Sequence, residues 1–157
     1  MTYFSALFHD LPESVTRDII SPVKQATDEL PSIVKKIEDE IVNRELVPLM
    51  EDFFVDEIIY YTSDEFSNRI QIDGKTQVVT WEELNQKYNS EEFKPIDGKL
   101  VRLCDHFSAL MEADISIKHG ITSSHLQHGR DDILKNYLRD EEINGIHLAE
   151  FFKKIFL

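Results

Sequence analysis

Residues 9–24, HDLPESVTRDIISPVK, constrain the fold more than any other stretch. An imidazole and three carboxylates (His9, Asp10, Glu13 and Asp18) fall within ten residues of a mainly apolar background, and two prolines punctuate the run. A hydrophobic segment rarely carries that density of polar groups without a task for them. The residue before a proline is pushed out of the α region. A first helix over residues 2–10 is therefore predicted to break near Leu11, and Pro12 opens a second helix that ends near residues 18–21. Adjacent side chains on a regular helix diverge by about 100°, but at such a break His9 and Asp10 can turn toward one ion. A helix-terminal histidine paired with a carboxylate is the plainer reading of that dipeptide by itself.

Helical periodicity dominates the remainder. Ile33, Val34, Ile37 and Ile41 recur at helical spacing over residues 31–47, with Lys35, Lys36, Glu38, Asp39 and Glu40 on the solvated side. Residues 99–117 predict a long core helix with Leu100, Leu103, Cys104, Phe107, Leu110 and Met111 in one stripe. Two further amphipathic helices are predicted over 131–138 and 142–156, after a polar loop holding His119, His125 and His128, whose spacing matches no strong metal motif. The pattern changes only near residues 68–81, where Ile70 and Ile72 alternate with polar residues and Asp73-Gly74 is a tight-turn pair, predicting a small β-hairpin. The expected fold is thus all-α with one hairpin insertion, and 157 residues suffice for a single domain.

Seventeen basic against thirty acidic residues, a net charge of −13, oppose nucleic-acid polymers and anionic membranes. The one cysteine, Cys104, excludes an intramolecular disulfide, and no stretch has the length or apolar purity of a membrane span or a secretory signal. A reducing, cytoplasmic setting is expected. Carboxylates beside an imidazole form a mixed nitrogen and oxygen donor set suited to Mn, Fe, Co, Ni or Zn and less exclusively to Mg.

The string HDLPESVTRDIISPVK resembles the HD-domain superfamily, and within it the YfbR-like branch of small (deoxy)nucleoside 5′-monophosphatases. Glu13, Thr16, Asp18, Pro22, Val23 and Lys24 match that branch in type and spacing, and LVRLCDHFSALMEA resembles a later family element at Asp105. The resemblance implies an HD-type helical bundle spanning residues 1–157 in which His9, Asp10 and Asp105 bind a divalent metal. It also implies that Glu13 and Asp18 act in catalysis and that Thr16, Arg17 and Lys24 contact a small phosphate ester, most simply a nucleotide. Cyclic or pyrophosphate-bearing nucleotides are a further option.

Family members place helices, and another metal-binding histidine, before the HD pair, whereas eight residues precede His9 here. The chain is thus expected to be short at its N-terminus. It is a truncated or mis-started enzyme, a degenerate metal- or nucleotide-binding or assembly module, or a site completed by a partner chain or by His119 or His147. Apolar faces left uncovered would favour a homo-oligomer.

Overall fold

The computed structural model describes residues 1–16, 29–121, 123–139, 142–143 and 145–157. Among these residues the chain is mainly helical, with two small antiparallel hairpins, and it divides into two compact units, Met1–Glu65 and Phe66–Leu157.

In the first unit, α1 (Thr2–Phe8) packs against α4 (Asp52–Thr62). Ser5, fully buried, donates through Oγ to the Tyr61 carbonyl at 3.0 Å, while Phe4 and Phe8 stack on the Tyr61 ring at 5.7 and 6.3 Å. Offset aromatic packing of this kind, beside a satisfied buried hydroxyl, fixes the rotation of α1 and therefore the direction in which its C-terminus points. A short α2 (Glu13–Thr16) follows. Then comes α3 (Leu30–Ile41), with a proline in its first turn, running into a π-turn over Val42–Leu46 and a 3-10 turn over Val47–Leu49. The amphipathic run predicted over residues 31–47 is therefore helical throughout but changes pitch after Ile41. The helix α4 was not foreseen: FFVDEIIYY is almost continuously apolar and β-branched or aromatic, so its period is indistinct.

The second unit opens with the predicted hairpin. Strand β1 (Arg69–Ile72) pairs with β2 (Lys75–Val78), Ile72 opposite Lys75, and Asp73 and Gly74 hold φ of 50° and 73°. Positive φ at both central positions is the signature of the primed turns that suit tight hairpins. A short α5 (Trp81–Gln86) follows, opened by a capping box in which Thr80 Oγ1 accepts from the Glu83 amide and Glu83 returns the bond to the Thr80 amide.

The long α6 (Gly98–Lys118) starts where predicted. Asp97 Oδ1 accepts from the Leu100 amide at 2.9 Å and Asn68 Oδ1 from the Lys99 amide at 3.1 Å, so two of its first amides are capped. The backbone of Ile96 exchanges hydrogen bonds with Arg69, drawing β1 against the helix start. Gly98 is required there: a Cβ would lie 2.4 Å from backbone atoms of Phe66 and Ser67.

Leu103 and Leu110 enter the core with Leu134, Leu148, Phe152 and Phe156, and Leu100, Phe107 and Met111 pack around them. Cys104, placed in that stripe by sequence, is exposed instead, since it sits at the stripe's edge and α6 turns it to solvent.

Two further expectations are corrected. The polar segment around His125 and His128 is not a loop but the first half of α7 (Ser124–Tyr137), which carries Gly129 within it and leaves both histidines exposed. Buried pairing supports this polar helix: Asp114 on α6 receives Arg130 Nε and Nη2 at 3.1 and 3.0 Å, and Lys118 Nζ at 2.6 Å. The helix predicted over residues 142–156 is instead a hairpin, β3 (Glu142–Ile143) with β4 (Ile146–His147), followed by α8 (Leu148–Phe156). Gly145, at φ 79°, breaks the helical path.

Candidate metal centre at the His9–Asp10 turn

The chain leaves α1 through a tight turn with His9, still in helical φ/ψ, at the cap. From there each amide reaches back three residues: Leu11 to Phe8 at 2.9 Å, Glu13 to Asp10 at 3.0 Å, Ser14 to Leu11 at 3.1 Å and Val15 to Pro12 at 3.2 Å. Ser14 Oγ also donates to the Leu11 carbonyl at 2.7 Å. Pro12 has no amide to donate, so the series skips it, and it is buried. The predicted break at Leu11 is thus a tightening of the helix rather than an extended interruption.

That tightening brings His9 and Asp10 together. His9 Nδ1 lies 2.8 Å from the Ala6 carbonyl oxygen. A carbonyl can only accept, so Nδ1 carries the hydrogen, and in the neutral ring Nε2 keeps its lone pair. Nε2 is buried and lies 3.2 Å from Asp10 Oδ1, whose side chain is 65% exposed. Two acceptors at that distance are reconciled by a proton or a cation between them. Two donors each about 2.1 Å from one ion, at roughly 90–109°, are themselves about 3.0–3.4 Å apart. An imidazole whose second nitrogen is anchored to a backbone carbonyl is also the usual support for a metal-bound histidine. The pair therefore fits a divalent cation.

Glu13 begins α2 within the same turn, and Thr16 ends that helix. Arg17, Asp18 and Lys24 lie outside the described residues. Asp105 belongs to the second unit, half-buried on α6. Among the described residues, no three His, Cys, Asp or Glu side chains gather as a metal cluster.

Beside Asp105, sequence reasoning passed over His106. Its Nδ1 is 2.8 Å from the Tyr137 hydroxyl, and Tyr137 stacks on Phe152 at 4.7 Å. Burial holds the His106 pKa below its ordinary value, the nearby Arg102 charge adds to this, and Asp105 opposes it. The adjacency of Asp105 and His106, a second carboxylate–imidazole pair in reverse order, was the available signal.

A family described as the HD domain matches residues 1–134. The chain belongs to the HD domain family. The match covers the His9–Asp10 turn and Asp105 and crosses the boundary between the two units. Membership points to metal-dependent phosphohydrolase chemistry in general, and to divalent-metal binding as the family's habit. No curated protein and no solved structure matches the chain. No helix among the described residues is long and apolar enough to cross a membrane.

Proposed function

We propose that this HD domain hydrolyses a (deoxy)nucleoside 5′-monophosphate or a similar small phosphate ester, in the manner of the YfbR-like branch, with a divalent ion held by His9, Asp10 and Asp105. The observation that carries the reading is the His9–Asp10 turn, with Nδ1 anchored on Ala6 and Nε2 3.2 Å from Asp10 Oδ1. Mn, Co, Mg, Fe, Ni and Zn are the candidate ions, and when bound the ion supplies Lewis acidity toward a phosphate oxygen.

The protein's own share of the work is positional. The Ala6 carbonyl fixes the imidazole, and Glu13, one turn further on, acts near the attacking water or the leaving-group oxygen. Asp18 places a water or reads the sugar. Thr16, Arg17 and Lys24 engage the phosphate, whose charge needs cations beyond a single metal. With a net charge of −13 the substrate is a small molecule rather than a nucleic-acid polymer or a membrane. Residues 1–157 are proposed to act as one HD-type domain in the cytoplasm.

Phosphate release from a nucleotide panel with manganese or cobalt tests this. Wild type should turn over and an Asp10→Ala, Asp105→Ala variant should not; equal, negligible rates in both would end the enzymatic reading. The second reading is a catalytically degenerate HD-fold metal- or nucleotide-binding or assembly module. Elemental analysis showing bound metal without turnover would select it.

A further inference from the structure

The charge of this chain is unevenly placed. Residues 1–65 hold five basic and fifteen acidic residues, a net −10 of the total −13. After Arg44 no cation appears until Arg69, while Glu45, Glu51, Asp52, Asp56, Glu57, Asp64 and Glu65 fall between. Apolar side chains stand open in the same stretch. Leu49 is 82% exposed, Phe53 73% and Phe54 49%, and the two phenyl rings lie 4.1 Å apart at the start of α4. Asp56 is three residues and Glu57 four residues beyond Phe53, so exposed carboxylates stand one turn along the face that carries the rings.

An aromatic pair left in water beside uncompensated carboxylates is complementary to one kind of surface. Apolar side chains would cover the rings, guanidinium or ammonium groups would lie over them, and the same cations would pair with Asp56 and Glu57. We propose that Phe53 and Phe54, with Asp56 and Glu57, dock a basic amphipathic helix of a protein partner. Anionic lipid would be repelled by this rim. A second copy would bring two such rims together, so the homo-oligomer expected from sequence would have to be built elsewhere.

The full chain is titrated, by fluorescence anisotropy, with a labelled leucine/lysine amphipathic helix of about five turns. A leucine/glutamate analogue and a serine/lysine peptide of equal charge serve as controls. The leucine/lysine helix should bind, more weakly as salt rises, and the two controls should not. Phe53→Ser with Phe54→Ser should weaken binding about tenfold, as should Asp56→Lys with Glu57→Lys. Glu91→Lys with Glu92→Lys makes the same change of charge in the second unit and should leave affinity within about twofold. All these positions are on the surface, and circular dichroism verifies the fold of each variant.

Absence of binding, equal binding of the serine/lysine peptide, or indifference to the phenylalanine changes would overturn the proposal. So would light scattering that shows a wild-type oligomer dissociated by the Phe53 and Phe54 changes, because the occupant would then be a second copy.

Discussion

Gly98→Ala isolates the junction that sets the position of α6, and two opposed effects make its sign informative. Gly98 is the first residue of that helix and its φ is not positive, so alanine gains helix propensity there, at most about 1 kcal/mol. Against this, the new Cβ would stand 2.4 Å from the Phe66 carbonyl carbon and from Ser67 N and O. All three are backbone atoms, about 1 Å inside ordinary contact, and cannot swing away as a side chain would. Overpacking that side chains can absorb already costs about 1–3 kcal/mol. Here the segment that must retreat also carries Asn68, whose side chain caps the Lys99 amide, and a lost cap adds about 1 kcal/mol. The net expectation is a loss of about 2–3 kcal/mol. For a unit of this size that lowers Tm by roughly 10–20 °C. Far-UV circular dichroism gives the melting curve, and the single tryptophan, Trp81, reports on the second unit by fluorescence. An unchanged or raised Tm would show that the strand lead-in does not press on the helix start, and the account of α6 placement would fail.

Other consequences can be measured in parallel. Asp10→Ala should abolish the rise in Tm that manganese or cobalt gives the wild type, about 2.7 kcal/mol of stabilisation at a hundredfold excess over Kd; an equal shift in both proteins would remove His9–Asp10 from the metal site. Lys118 and Arg130 hold the Asp114 carboxyl below its usual range, so its contribution is present above about pH 4 and lost as pH falls through the lower folded-state value. Asp114→Asn should therefore cost about 2 kcal/mol at neutral pH, the gap closing in acid, and urea melts at both pH values would expose an error by a constant gap. Because the folded-state His106 pKa is depressed, the unfolded chain takes up the proton first and stability declines as pH drops below about 6.5. His106→Gln, able to keep a bond to Tyr137, should flatten that part of the profile, and an unaltered slope would count against a buried neutral imidazole.

Sequence made some of this fold legible and hid the rest for physical reasons. The Asp73-Gly74 hairpin rests on local chemistry that tertiary packing does not override, and the α6 stripe holds at Leu103 and Leu110; at Leu11 the expected break is replaced by three-residue hydrogen bonds that carry the chain past Pro12. Cys104 and α7 rest on packing instead: one is decided by a small rotation of a helix, the other by Arg130 finding a buried carboxylate sixteen residues earlier in the chain. The capping box at Thr80 and Glu83 and the Asn144-Gly145 pair were readable signals that the stronger helical periodicity around them obscured. At the candidate site, the turn at residues 9–13 is local, so its three-residue hydrogen bonds follow from the sequence near Pro12. Asp105 is proposed only by family pattern, since nothing in an isolated helix distinguishes a ligand from a solvated aspartate.

The ladder of three-residue steps around Pro12 separates what this turn tolerates in composition from what it tolerates in length. A change of side chain at Leu11 or Ser14 leaves every amide with the same partner. Removing or adding one residue between His9 and Glu13 would shift each partner by one and swing whatever follows by about 100°, while leaving every residue type in place. Within this family, spacing in that stretch is therefore expected to be held more strictly than identity, and a library that varies loop length there should lose metal binding sooner than one that varies sequence.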